Sequence, residues 1–430
     1  RDEVVNKLEA EIFGKYVSIN RRINGWTIEG LAKASNFAYS TIRNIEQGIS
    51  NIDEESRNKI ARLFGYERFM NNLNQKKLYK KILDHILYLH STAQINEMLE
   101  YLKKILKNEE LQSSFLFFQY HLLHFYYLVY TGKDCGKRKQ LKNIIEENLY
   151  FFSNEEIATF YDLLYIDASE NDLNENVTHL LLKAYDYNPN SFLINIHLVM
   201  NLQRNQYLVG SLTYLENCKR LLYSNNSIYR FMQIGLLEAA IMADNGERAP
   251  ALHYLFQLLH EADQYGIDII KSSILDNITY TCFVDEDYFN TLKYSLLSLE
   301  RKNNRKLDHY FYIAFSQYKL NNLTAYKQGF TFAKKMLLGT PYLYDLLLGL
   351  DYLIKKDLSK AIECFETAAK DTEERMILDW SVWIWKYLCE LFKETNNFEK
   401  FLYYQQKVEE IYRRRTLRFY PKNEEALDSI

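Results

Sequence analysis

Apolar residues recur every three or four positions along this chain, and they never settle into the strict alternation of a half-buried strand. Segments of helical length follow one another, separated by short polar breaks such as Thr131-Gly132-Lys133 and Asn188-Pro189-Asn190. There are only 14 Gly and 4 Pro, and the prolines are too scattered to mark the turns of many short strands. The pattern therefore predicts an all-α protein.

The first 66 residues are predicted to form four helices. The first is expected to end near Asn24-Gly25, because glycine tolerates the left-handed backbone of a helix C-terminus. Its apolar stripe consists of Ile12, Phe13, Tyr16, Val17 and Ile19. Thr27 is expected to cap the second helix, and Asn36 to adopt a positive φ in the tight turn after it.

The third helix is predicted to begin near Ala38 and to end at Gln47-Gly48. Ile42 and Ile45 form its buried stripe. Its outer face then carries Tyr39, Ser40, Arg43 and Asn44. A fourth helix is expected after Asp53, with a buried face of Ile60, Leu63 and Phe64.

Part of this segment resembles the Cro/C1-type (XRE) helix-turn-helix, at Thr27, Leu31-Ala32, Ser40-Thr41-Ile42, Ile45-Glu46 and Gly48. The resemblance implies that the helix after the turn enters the DNA major groove, while the preceding helix touches phosphate. The candidate DNA-binding residues are then Thr27, Tyr39, Ser40, Thr41, Arg43 and Asn44. Two positions depart from the family pattern: Ile28 replaces a glutamine, and Asn36 replaces the turn glycine.

A repeat signature lies in the segment 342–369, at Leu348-Gly349, Tyr352, Ala361, Phe365 and Ala368. These spacings resemble the tetratricopeptide repeat, in which small residues let paired helices approach and aromatic rings fill the space between them. About 360 residues at a period of about 35–40 predict roughly nine or ten helix pairs. We expect them to stack into a right-handed superhelix with a concave surface.

An XRE-like helix-turn-helix domain (1–66) followed by tetratricopeptide-like repeats (67–430) resembles the RRNPP regulators of Gram-positive bacteria and their phages. The resemblance implies a homodimeric transcriptional regulator that binds a double-stranded DNA operator and responds, in quorum sensing, to a short signalling peptide in the repeat groove. Asn and Gln side chains both donate and accept hydrogen bonds, as a bound peptide backbone requires. The candidate peptide-binding residues are Asn195, Gln233, Asn277, Tyr280, Gln317 and Tyr318.

The net charge of −3 argues against a chain that coats nucleic acid along its whole length, so any DNA contact is local. Five cysteines lie far apart without a C-x-x-C pair, and each is expected to be a buried thiol in a reducing compartment. No leader-like segment opens the chain, and no run of about 18 apolar residues occurs. We therefore expect a cytoplasmic protein.

Candidate chemistry is sparse. There is no phosphate-binding loop, and His121 and His124 lie in an aromatic run that indicates the core rather than a metal site. The run Arg413-Arg414-Arg415 with Arg418 favours a solvated final helix. We expect no enzymatic activity, cofactor or metal. Two alternatives remain open: a regulator controlled by a protein partner, and a helical interaction scaffold that has lost DNA binding.

Overall fold

The protein is described by a computed structural model that covers residues 2–71, 76–171, 177–222, 227–301, 306–418 and 420. Helices and short turns make up these ranges, and no β-strand occurs within them. The predicted all-α class is therefore confirmed. The chain forms two compact units: unit 1 comprises residues 1–167 and 186–188, and unit 2 comprises residues 168–185 and 189–430.

Unit 1 contains the N-terminal helices. Their bounds are α1 (Asp2–Ile23), α2 (Ile28–Ser35), α3 (Tyr39–Glu46), α4 (Glu54–Leu63), α5 (Lys76–Ser91), α6 (Ile95–Leu106), α7 (Glu109–Gln112), α8 (Phe117–Thr131) and α9 (Cys135–Glu146). Two further helices each contain residues of both units, α10 (Asn154–Asn171) and α11 (Thr178–Tyr187).

The turn between α2 and α3 forms as the sequence predicts. The hydroxyl of Thr27 accepts a hydrogen bond from the amide of Gly30 at 3.0 Å and so caps α2. Asn36 ends that helix in the left-handed region, at φ 57°. Ile42 and Ile45 are fully buried on α3. The first helix is longer than its apolar stripe indicated, because α1 begins at Asp2.

A glycine lets α1 pack directly against the backbone of α3. A Cβ atom on Gly14 would lie 2.2 Å from the carbonyl oxygen of Ile45 and 3.2 Å from that of Glu46. About two turns further along α1, the guanidinium of Arg21 donates from Nε and Nη2 to the two carboxylate oxygens of Glu46, at 2.6 and 3.0 Å. The position of α3 is therefore fixed by a backbone contact and a bidentate ion pair.

Aromatic side chains join α1 to later parts of unit 1. The hydroxyl of Tyr16 lies 2.9 Å from Ser113 Oγ, and its ring meets Phe117 edge-on with centroids 5.3 Å apart. Phe13 and Phe69 meet edge-on at 4.8 Å. The first four helices therefore share a core with residues that follow them in the chain.

Unit 2 contains six successive helix pairs in its described ranges. They are α12 (Phe192–Arg204) with α13 (Leu208–Leu222), α14 (Ile228–Asp244) with α15 (Arg248–Gln264), α16 (Asp268–Val284) with α17 (Tyr288–Leu299), α18 (Asp308–Lys319) with α19 (Leu323–Met336), α20 (Pro341–Ile354) with α21 (Leu358–Glu374), and α22 (Leu378–Glu394) with α23 (Phe398–Arg415).

The same three-residue turn joins the two helices of every pair. Its middle residue has a positive φ in each case: Gln206, Gly246, Glu286, Asn321, Lys356 and Asn396. In four pairs the next residue is an Asp or Asn whose side chain caps the second helix, namely Asp287, Asn322, Asp357 and Asn397. The turns recur at intervals of 35 or 40 residues, which confirms the predicted period.

The pair α20 and α21 shows why the repeat needs small residues. A Cβ atom on Gly349 would lie 3.0 Å from the ring of Phe365 and 3.3 Å from the carbonyl oxygen of Ala361. Phe365, Ala361 and Ala368 are fully buried. The packing that the repeat signature predicted is confirmed at this pair.

Candidate DNA-contacting helix and ligand clefts

Helix α3 presents a polar face to solvent. Tyr39, Ser40 and Arg43 are exposed, while Thr41 and Asn44 are half-buried. On the preceding helix, the capping residue Thr27 is exposed as well. Five of the six candidate DNA-binding residues thus share one short helix, and the sixth lies at the N-terminus of its neighbour α2.

A different kind of site forms where the first and last helix pairs of unit 2 meet. Arg415 of α23 donates from Nε to the side-chain oxygen of Gln206 at 2.8 Å, and from Nη1 to the carbonyl oxygen of Asp244. The amide of Gln206 in turn donates to Asp379 at 2.7 Å. We call these four residues, Gln206, Asp244, Asp379 and Arg415, the closure cluster.

Further contacts extend this junction along α13. The guanidinium of Arg414 lies 5.5 Å from the ring centre of Tyr207, and Tyr207 meets Tyr420 at 4.9 Å. A Cβ atom on Gly210 would lie 3.3 Å from the carbonyl oxygen of Arg418. Because α13 and α23 belong to the first and last pairs, the array of unit 2 closes on itself.

The carboxylates of the closure cluster are buried next to each other. Burial raises the pKa of Asp379 above its ordinary value, and the neighbouring negative charge of Asp244 raises it further. Burial likewise raises the pKa of Asp244, although the positive charge of Arg415 opposes that effect. Arg415 is the cation that acts most strongly on both carboxylates; Arg248 acts on Asp244, and Lys306 and Arg204 act on Asp379 more weakly. The raised pKa values indicate that these cations do not fully offset burial, so a further cationic group would be stabilised here.

Two clefts adjoin the closure cluster, and Asp244, Tyr280 and Asp379 line both of them. The lysine cleft, defined by Lys319 and Lys386, has a volume of about 240 Å³. The histidine cleft, defined by His309 with Asn277 and Trp380, has a volume of about 230 Å³.

Aromatic rings form one part of the wall of the lysine cleft, which the carboxylates of Glu286 and Glu390 also line. Trp383 and Tyr387 stack with their centroids 5.3 Å apart and their planes 10° apart. The ammonium of Lys319 lies 5.4 Å from the ring centre of Phe315 and 5.6 Å from that of Tyr387. Such a wall offers flat apolar contacts, and the lysines bring positive charge to its edge.

The histidine cleft holds a buried hydrogen bond between a histidine and a carboxylate. His309 Nε2 lies 2.7 Å from a carboxylate oxygen of Asp276, and His309 is 1% exposed. The indole nitrogen of Trp380 donates to Asp308 at 2.6 Å. This cleft is therefore bordered by polar groups that are largely committed to one another.

The six candidate peptide-binding residues do not lie together. Asn277 and Tyr280 line the histidine cleft. Asn195 is fully buried, and its amide nitrogen donates to the carbonyl oxygens of Pro189 and Ser191 at 2.9 and 2.8 Å. Its oxygen accepts from Asn217 at 3.1 Å, so every group of this amide is occupied within the fold.

The other three candidates are half-buried and line neither cleft. Gln233 accepts a hydrogen bond from Arg230 at 2.6 Å. Tyr318 packs against Phe315 with centroids 6.2 Å apart, next to Gln317 in α18.

Sequence reasoning missed the charged residues of the closure cluster. The expectation that the run Arg413-Arg414-Arg415 is solvated is wrong for Arg414 and Arg415, which are half-buried against other helices. A signal was present for Asp379, because it is the one charged residue in the largely apolar and aromatic segment 377–385. Gln206 sits in a turn, Asp244 and Arg415 are the last residues of α14 and α23, and none of the three gives a local signal.

Several of the histidines and cysteines are buried in the core. His121 is 5% exposed, and burial lowers its pKa to about 3, so it stays neutral in the core. Cys218, Cys282 and Cys389 are buried as expected, but Cys135 is exposed. Among the described residues, no three His, Cys, Asp or Glu side chains group as metal ligands.

Within the same ranges, no helix combines the length and apolar character needed to cross a lipid bilayer.

The fold is a tetratricopeptide-like helical superhelix, and solved structures share it. One is a Rap protein complexed with competence and sporulation factor, with TM-score 0.60, 15% identity and coverage of 78% of this chain and 96% of that chain. Another is the apo quorum sensor NprR from B. thuringiensis, with TM-score 0.60, 16% identity and coverage of 79% and 99%.

A third is aspartyl phosphate phosphatase F from Bacillus subtilis, with TM-score 0.52, 16% identity and coverage of 80% of this chain and 97% of that chain. No protein-family model and no curated protein sequence matches the chain. The structural similarity establishes a common fold, but at identities this low the function has to be argued from the residues themselves.

Proposed function

We propose that this chain is a sequence-specific DNA-binding transcriptional regulator controlled by a short signalling peptide. Residues 1–66 form the proposed DNA-binding part, of the XRE helix-turn-helix type, and residues 67–430 form the sensing and dimerisation part. The observation that carries the proposal is the combination in one chain of an exposed polar helix, α3, with charged aromatic clefts in a fold shared with a quorum sensor.

The DNA contact is proposed for the outer face of α3. Arg43 is exposed and makes no ion pair or side-chain hydrogen bond in the described ranges, so its guanidinium is available for guanine or phosphate. Asn44 on the same helix has the donor and acceptor pair that adenine requires. Thr27 lies at the N-terminus of α2, where a phosphate contact is favourable.

The DNA proposal is tested by selection from a random double-stranded DNA library. Wild type is expected to enrich one motif, and the Arg43→Ala/Asn44→Ala variant to lose it, because each base contact contributes about 1–3 kcal/mol. Lys104→Ala removes one positive charge from an exposed position of α6 and serves as the control. The docking mode would be refuted if the double variant enriched the same motif with unchanged affinity.

The peptide is proposed to lie along the lysine cleft. Apolar side chains of the peptide would pack on the stack of Trp383 and Tyr387, and its terminal carboxylate would pair with Lys319 and Lys386. Its terminal amine would meet the carboxylates of the closure cluster. Peptide binding at this junction would alter contacts between the first and last helix pairs, which links it to a change of conformation.

The peptide proposal is tested with peptides selected from a random display library on the wild-type chain. We expect the free-acid form of a selected peptide to bind at least about tenfold more tightly than its C-terminal amide. In Lys319→Ala this preference should shrink to a few-fold, because only Lys386 remains to pair with the carboxylate. Lys360→Ala, which removes an exposed lysine of α21, is the matched control. An unchanged preference for the free acid in Lys319→Ala would place the peptide elsewhere.

A further inference from the structure

Unit 1 contains a cavity of about 510 Å³, which we call the N-terminal pocket. Side chains of α1, α5, α8 and the segment 150–156 form its wall, and apolar atoms predominate through Leu8, Ile12, Leu83, Phe118 and Phe151. A volume of this size is typical of sites for small organic molecules. The two clefts of unit 2 share none of its residues.

One buried polar group in this wall has no partner. The side-chain hydroxyl of Tyr79 makes no hydrogen bond in the described part of the chain, although Tyr79 is only 5% exposed. Burial and the negative charge of Glu156 raise the pKa of Tyr79 well above its ordinary value, so the hydroxyl keeps its proton. The Glu156 carboxylate lies close enough to act on this hydroxyl but makes no well-directed hydrogen bond with it, so the hydroxyl can still donate to an acceptor that enters the pocket.

A second group supplies the complementary acceptor. The amide nitrogen of Gln119 donates to the carbonyl oxygen of Phe151 at 3.2 Å, which leaves the amide oxygen as an acceptor in the pocket wall. A carboxamide on a ligand would use both groups, because its carbonyl accepts and its N–H donates.

The charges at the edge of the pocket disfavour an anion. Lys80 is paired with Asp84 at 2.9 Å and with Glu155 at 2.8 Å, so its positive charge is already balanced. Glu156 adds a further carboxylate to the wall. A negatively charged ligand would be repelled here and would also lose its hydration.

We propose that the N-terminal pocket binds a small neutral molecule that has an apolar body and one carboxamide group. Such a molecule would contact Leu8 and Ile12 on α1, the helix whose Gly14 rests against the backbone of α3. Binding should therefore slow hydrogen exchange in α1. This site is independent of the peptide and DNA proposals, because its test uses neither.

The probe is N-benzylbenzamide, a neutral molecule with two rings and one secondary amide. Benzyl benzoate has nearly the same shape but lacks the N–H donor. We expect calorimetry to give a dissociation constant below about 1 mM for the amide, and the ester to bind at least about fivefold more weakly. Protection of α1 against hydrogen–deuterium exchange should accompany binding of the amide.

Tyr79→Phe should weaken the binding of N-benzylbenzamide about fivefold. Its unfolding temperature should stay the same or rise, because a buried hydroxyl without a well-directed hydrogen bond is removed. Tyr88→Phe, on the same helix but half exposed and outside the pocket, is the matched control and should bind as wild type does. Leu8→Trp, which fills the pocket, should abolish binding. The proposal is overturned by wild-type affinity in Tyr79→Phe or by no binding of the amide to wild type at about 1 mM.

Discussion

The contact between Gly14 and α3 makes a quantitative prediction. Alanine at this position would place its Cβ 2.2 Å from the carbonyl oxygen of Ile45, in a region where the neighbouring atoms are all backbone. Relief requires α1 and α3 to separate by about 1 Å. Overpacking of this kind costs about 3 kcal/mol at the upper end of its usual range, since no flexible side chain can yield.

The same substitution also has a favourable effect. Alanine is better than glycine in a helix interior by about 1 kcal/mol, so the net loss of stability in unit 1 is expected to be about 2 kcal/mol. That free energy corresponds to about 30-fold faster opening of α3. The proposed DNA affinity should fall as well, because the backbone contact between α1 and α3 is lost while the ion pair between Arg21 and Glu46 and the buried Ile42 and Ile45 remain.

Hydrogen–deuterium exchange of fragments that cover α1 and α3 measures this change. Gly329→Ala is the matched control, because Gly329 lies inside α19 and an added Cβ would meet nothing within 4 Å. It should be stabilising by about 1 kcal/mol. If α3 in Gly14→Ala exchanged no faster than in wild type, the interpretation of this glycine as a steric requirement would be refuted.

Three further predictions concern unit 2 and the expectation that the protein has no enzymatic activity. Because the pKa of Asp379 is raised, its contribution to stability is present at low pH and is lost as pH rises through that pKa. Between pH 5 and pH 8 the unfolding temperature of wild type should therefore fall relative to that of Asp379→Asn. Parallel plots of unfolding temperature against pH for the two proteins would contradict this. Asn195→Ala should cost about 2–3 kcal/mol of stability in urea unfolding, because it leaves buried partners of this amide unpaired. Asn277→Ala, in the histidine cleft and outside the proposed peptide site, should leave both stability and peptide affinity unchanged; the reverse pattern of stability losses would contradict this reasoning. Stoichiometric protein should not turn over nucleotides, esters, peptides or phosphoesters in a chromatographic assay, and a metal-dependent activity lost in His121→Ala/His124→Ala would disprove it.

Local sequence signals predicted local structure well. Thr27 and Asn36 mark the ends of α2 because capping and left-handed turns depend on single side chains. Gly349 and Phe365 mark a helix pair because close packing depends on residue size at fixed spacing.

Contacts between distant parts of the chain could not be predicted in this way. Arg415 and Gln206 are 209 positions apart, and helical periodicity carries no information about which turns meet. The wide separation of the candidate amides could not be predicted for the same reason. Periodicity placed Asn195 on the first helix of a pair, but it did not reveal that neighbouring groups already occupy the hydrogen bonds of this side chain. Which side chains line a groove depends on the geometry of the whole array.

The junction of α13 with α23 bears on how this protein can evolve. An open repeat array tolerates the gain or loss of a unit, because each repeat contacts only its neighbours and fraying at one end leaves the rest intact. In unit 2 the terminal pairs hold each other through Gln206 and Arg415, so a duplicated or deleted pair would move these two residues out of reach. Insertions are therefore expected in the turns rather than as whole repeats, and the closed array should hold the number of helix pairs constant.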